Sequence, residues 1–227
     1  MYLKNERLAF LYRCIAAIAT IVAIYLNSGI PKGAFNPSVF LYFTIQSNVL
    51  CLIFFVLGAL RYVMQRKQRK MNLLAAQKPF WKGAAVMAIT TTLLVYWLIL
   101  AKVHFTMEDK PDPVANLMVH LIVPLLMIGD WALFEPKGRF TAVDPLKWAV
   151  VPLGYYGFTL IASALGARYM KGTHYPYFFM DSNILGWGQA LLNIALIAVA
   201  FVALGYMLYL LDAWLGRLAA RQIAHEA

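Results

Sequence analysis

The 227-residue chain is 62% hydrophobic and only 13% charged, with a mean hydropathy of +0.67. A soluble globule of this length lacks the polar surface to cover so much apolar area, so the solvent for most of the chain is a bilayer. The net charge of +10 does not indicate nucleic acid, because the basic residues sit in short loops between apolar runs. Cys14 and Cys51, the only cysteines, both lie inside apolar segments, which argues against a disulfide framework or a cysteine-based metal site.

A hydrocarbon core about 30 Å thick takes roughly 20 apolar residues of helix. In chain order the runs that qualify are 8–26, 39–63, 83–103, 114–134, 148–165 and 185–214. Turn and breaker residues separate them: Asn27-Ser28-Gly29, Asn36-Pro37, Pro79, Pro111 and Pro113, Glu135-Pro136, Asp144-Pro145, and the stretch from Gly172 to Pro176. The expected fold class is an all-α integral membrane protein, a six-transmembrane-helix bundle with residues 1–227 forming a single transmembrane domain. The first run follows a short basic segment as a secretory signal would. It is long, and no Ala-x-Ala-like cleavage site follows, so it reads as a retained span.

Orientation follows from the basic residues. With the N-terminus inside, 15 of the 20 Lys and Arg fall on inner segments, among them Arg13, Arg61, Lys78, Lys82 and Arg139. Only Lys32, Lys102, Lys110, Arg168 and Lys171 remain outside, with the acidic cluster Glu108, Asp109 and Asp112. This positive-inside bias puts both termini in the cytoplasm, and a bacterial inner membrane is the expected location. The basic loop from Arg61 to Lys82 can also meet anionic lipid head groups.

Polar side chains at hydrocarbon depth are costly and therefore informative. In the second span Thr44, Ser47, Asn48 and Cys51 recur at i, i+3, i+4 and i+7, one helical face that must look into protein or a wet cavity. In the fourth span His120 is the one histidine well inside an apolar run. Asn116 lies one turn above it, and Pro124 deprives the His120 carbonyl of its helical donor. Spans two and four run in the same direction. Thr44 is five residues and His120 six residues from the start of its span, about 8–9 Å below the outer boundary in both cases. A hydroxyl and an imidazole at matched depth on two inward stripes are the minimum set for a nucleophile and its general base.

Other polar positions have blander readings. Asp130 lies about 15 Å deeper than His120 and is expected to pair with inner basic residues. Asp181, in the outer loop Tyr175-Pro-Tyr-Phe-Phe-Met-Asp181-Ser-Asn183, is a candidate lid or orienting carboxylate. Gln189 and Asn193 form an i, i+4 pair suited to helix association.

The segments Phe-Leu-Tyr-Phe-Thr44-Ile-Gln-Ser-Asn48, Asn116-x3-His120-x3-Pro124 and Tyr175-Pro-Tyr-x-Phe-x-Asp181 resemble the bacterial branch of the androgen-induced-gene membrane proteins. Animal relatives of that branch include the androgen-dependent regulator of tissue factor pathway inhibitor. The resemblance implies six spans and an intramembrane threonine hydrolase acting on fatty acid esters of hydroxy fatty acids. It maps the nucleophile to Thr44 and the base to His120. No cofactor is then needed, and the expected partners are membrane lipids and a lipid ester substrate. The mechanism requires donors for a tetrahedral oxyanion, and Ser47, Asn48, Asn116 and Gln189 are candidates. Two rival readings stand beside it. A transporter or channel would line a path with the same stripes, and a zinc lipid hydrolase would gather His104, His120, His174 and Asp181.

Overall fold

The computed structural model describes residues 3–67, 78–102, 112–169 and 172–226, and among these there is no β-strand. We number the helices α1 (Glu6–Asn27), α2 (Phe43–Arg66), α3 (Pro79–Leu100), α4 (Pro113–Phe134), α5 (Asp144–Trp148), α6 (Val150–Ala164) and α7 (Ser182–Glu226). Five of them, α1 to α4 and α7, are long and apolar enough to cross a membrane.

Helix α3 occupies the centre, where Gly83, Ala84, Ala85, Val86, Met87, Ala88 and Ile89 are all buried. With no hydrophobic gradient between protein and lipid tails, small residues help by letting neighbouring helices close in. Gly83 is the tightest example: a Cβ there would lie 2.2 Å from Cζ2 of Trp148. The Trp148 indole occupies that space and donates to the Phe80 carbonyl at 3.0 Å. Helix α1 offers α2 a stripe of small residues, Ala9, Ala16, Thr20 and Ala23, while Ile15 and Ile18 stay more than 60% exposed on its far side. Helices α1, α2, α3 and α4 thus share one core around Phe55, Met87, Val123 and Met127.

Several boundaries differ from the hydropathy reading, each for a local reason. The second run begins as a 3₁₀ turn, Pro37–Leu41, capped by the Asn36 side chain, and Tyr42 is extended (φ −81°, ψ 139°). The Leu41 carbonyl takes its hydrogen bond from the Tyr155 hydroxyl at 3.0 Å. Helix α2 therefore starts at Phe43, and Thr44 lies in its first turn rather than more than a turn inside. The fifth run, 148–165, is split into α5 and α6. Pro152 has no N–H to offer the Trp148 carbonyl one turn back, which interrupts the ladder there. The sixth run is longer than expected: α7 has 45 residues, about 67 Å of helix, bent at Gly186 (φ 77°, ψ 157°).

Asp130 is fully buried and holds α1, α3 and α4 together at the end of the bundle that carries the start of α1. It accepts from Arg13 Nε at 2.8 Å and pairs closely with Lys82 Nζ. The Arg13 guanidinium also reaches Glu135 at 2.8 Å. The partners expected for Asp130 from its depth are the ones found.

Candidate functional site

The site is built where two π turns face the start of α2. Within α4, Met118–Ile122 forms a π turn, so the Val123 N–H bonds the Met118 carbonyl and not that of Val119. The freed Val119 carbonyl accepts from Asn48 Nδ2 at 3.1 Å. Pro124 leaves the His120 carbonyl without a helical donor, and the Trp97 indole supplies one at 3.2 Å. A second π turn, Tyr96–Leu100, sits in α3 opposite the first. Single π turns inside α-helices are frequent at functional sites, and here each carries an aromatic ring into the same space.

The two rings, Tyr96 and His120, stack at 3.8 Å with 17° between planes. The Asn116 amide donates to the Tyr96 hydroxyl, and the Asn116 carbonyl lies 3.0 Å from His120 Nδ1. A carbonyl only accepts, so this hydrogen bond assigns the proton to Nδ1. Nε2 is then a bare lone pair, and it faces Thr44 Oγ1 at 3.3 Å. The distance is long for a hydrogen bond of this kind. His120 is 8% exposed and Thr44 half-buried, so the pair sits at an edge and not in the deep core.

Of the other stripe residues, Ser47 and Asn48 are both buried. Ser47 bonds the Thr44 carbonyl at 3.0 Å and the Thr92 hydroxyl at 2.8 Å. Asn48 Nδ2 also donates to the Thr44 carbonyl, at 2.7 Å, while Asn48 Oδ1 is buried without a partner. These contacts hold the Thr44 backbone from below. Asp181 is buried at the start of α7, where Oδ1 accepts from the Asn183 N–H at 2.9 Å, a capping arrangement. Gln189 is exposed on α7 and gives its amide to Asn193 at 2.8 Å; Asn193 in turn binds the Phe179 carbonyl. Gln189 and Asp181 thus serve α7, and the pair's immediate surroundings are Asn116, Asn48 and Ser47.

Tyr177 was given no role of its own in the sequence, yet it sits beside the nucleophile candidate. Its side chain lines the same cavity as Thr44. Burial pushes the Tyr177 phenol up to about 12, so it is a neutral donor at pH 7. The 3₁₀ turn Phe178–Met180 holds it in place, with the Tyr177 and Phe179 rings stacked at 5.3 Å. The signal that could have found it is the spacing of two phenols across one loop from a helix start.

Beside Thr44 a cavity of about 60 Å³ opens between α2, α3, α6 and α7, with Val95, Leu100, Leu153, Ile194 and Ile197 among its walls. Among the described residues no three His, Cys, Asp or Glu converge as a metal would require. His174 is exposed, and His104 lies outside the described residues. Comparisons of the chain with protein-family models, curated proteins and solved structures gave no match.

Proposed function

We propose that this protein is an intramembrane ester hydrolase in which Thr44 is the nucleophile and His120 its general base. The observation that carries the reading is the 3.3 Å approach of Thr44 Oγ1 to His120 Nε2, with Nδ1 held on the Asn116 carbonyl. A threonine hydroxyl is a weak nucleophile at neutral pH and needs a base aligned in this way. His120 takes the hydroxyl proton as Oγ1 attacks the ester carbonyl. The tetrahedral oxyanion forms at the N-terminus of α2, where the partial positive charge of the helix favours it. The Tyr177 hydroxyl, which lines the same cavity as Thr44, is the candidate donor to the oxyanion. His120 then protonates the departing alkoxide, and water, deprotonated by the same imidazole, hydrolyses the acyl-threonine.

The apolar cavity beside Thr44 supports a lipid substrate, with an acyl chain entering between α6 and α7. Fatty acid esters of hydroxy fatty acids are the substrate class implied by the resemblance noted above. The topology in this reading has six crossings. Helices α5 and α6 form the fifth together, since Ala149 between them keeps helical angles (φ −60°, ψ −19°) and residues 144–164 reach about 31 Å. Both termini then lie in the cytoplasm with the basic end of the bundle, and the Thr44 site opens towards the opposite leaflet of a bacterial inner membrane.

The test is labelling of the detergent-purified protein with a fluorescent fluorophosphonate, which traps activated hydroxyls. Wild type is expected to label, Thr44→Ala and His120→Ala are not, and Thr44→Ser is expected to retain labelling. Labelling that persists in Thr44→Ala, or its absence in folded wild type, would sink the assignment.

A further inference from the structure

A second cavity, of about 680 Å³, lies at the other end of the bundle, among the ends of α1, α2, α3 and α4. Arg61 on its wall is 17 residues beyond Thr44 along α2, about 26 Å of helix, most of the roughly 30 Å thickness of a hydrocarbon core. Its volume falls in the range of small-molecule sites.

The charge in this cavity is layered. At its floor, Arg13 and Lys82 are offset by Asp130 and Glu135. Gly58 makes room for that floor, since a Cβ there would come 2.6 Å from Arg13 Cδ. Around the mouth, Lys4, Lys78 and Arg139 are all exposed, and among the described lining residues Glu6 is the acid at that level. Those three cations outnumber Glu6 at the mouth, above a neutral floor. Its walls include the aromatic rings of Tyr62, Phe134 and Phe140. A low-dielectric wall below a cationic rim focuses positive potential into the cavity. A surface that only sets topology needs the charges and has no use for the concavity.

We infer that this cavity binds a phosphate-bearing anion at the basic end of the bundle, its chemistry matching the headgroup of an anionic phospholipid or free phosphate. The rim supplies charge-assisted hydrogen bonds to phosphate oxygens, and the aromatic walls suit the glycerol and first methylenes of a lipid. The inference does not depend on the hydrolase reading.

The experiment uses the full chain in neutral detergent and follows thermal unfolding by tryptophan fluorescence. Micelles are doped with dioleoyl phosphatidylglycerol, with dioleoyl phosphatidylcholine at equal mole fraction, or with neither but inorganic phosphate. Phosphatidylglycerol at a hundredfold excess over Kd is expected to raise Tm by roughly 5–10 °C, and phosphatidylcholine much less. The exposed pair Lys78→Gln with Arg139→Gln is expected to remove most of that shift. The control pair Lys32→Gln with Arg168→Gln, on loops away from this cavity, keeps it. A shift with phosphatidylglycerol alone assigns a lipid headgroup; an equal shift with millimolar phosphate assigns the free anion. Equal shifts with both lipids, or a shift that survives the rim pair, would overturn the site.

Discussion

Asp130→Asn removes one charge from the centre of the buried ion cluster while keeping the shape of the side chain. Arg13 retains Glu135 at 2.8 Å, so the loss falls mainly on Lys82. The Lys82 side chain is 7% exposed, and besides Asp130 it meets the Met127 sulfur at 3.5 Å, a weak acceptor, and the Phe54 ring, 5.7 Å from its centroid. Stranding one partner of a buried pair costs about 3–5 kcal/mol. For a chain of this length that corresponds to a fall in Tm of roughly 6–20 °C. Adding Lys82→Met removes the stranded charge and replaces the lysine stem with an apolar side chain of similar length. Apolar replacements of a buried ion pair are often neutral or stabilising. The double variant is therefore expected to recover most of the loss, read as Tm by tryptophan fluorescence in one detergent. A fall of less than about 2 °C in the single variant would refute the reasoning, as would a double variant no more stable than the single.

Three further outcomes are expected. Tyr177→Phe keeps the ring stacked on Phe179 and removes the phenol; the fluorophosphonate labelling rate should fall about 10²-fold, and an unchanged rate would remove Tyr177 from the oxyanion role. Pro124→Ala restores an N–H that competes with the Trp97 indole for the His120 carbonyl; a shift of about 1 Å in the imidazole should slow labelling by about 10²-fold with little change in Tm. Gly83→Ala forces a Cβ into the Trp148 ring and should cost about 1–3 kcal/mol, seen as a lower Tm with the labelling chemistry of the surviving folded protein intact.

The apolar runs were legible because lipid leaves a chain few choices: backbone groups must be satisfied internally, so a long apolar run is a helix. The stripe of Thr44, Ser47, Asn48 and Cys51 was legible for a related reason, and three of its members are now seen buried against α3 and α4. The matched depth of Thr44 and His120 pointed to a meeting that hydropathy alone does not require, and the two side chains do meet. What remained hidden depends on tertiary donors. Helix α2 starts at Phe43 because a tyrosine 114 residues away takes the Leu41 carbonyl. Tyr177 approaches Thr44 because a loop folds over the start of α2, and its sequence reads as an ordinary interfacial segment. The split between α5 and α6 is the exception, since Pro152 was in plain view and its missing N–H predicts the break.

Helix α4 carries a small mismatch with a large consequence. Its inward residues Ala115, Val119, Val123, Met127, Asp130 and Phe134 are all buried, and they cover 19 residues in five turns. Five turns of regular α-helix take about 18. The π turn at Met118–Ile122 absorbs the surplus residue, so the two halves of the helix are held in phase by it. One half presents His120 to Thr44, and the other presents Asp130 to Arg13 and Lys82. Deleting any one residue of that turn would leave hydropathy and length nearly unchanged while rotating one half against the other by about 100°. In this protein the reactive pair and the ion cluster are therefore not separate acquisitions: a single inserted residue sets the angle between them.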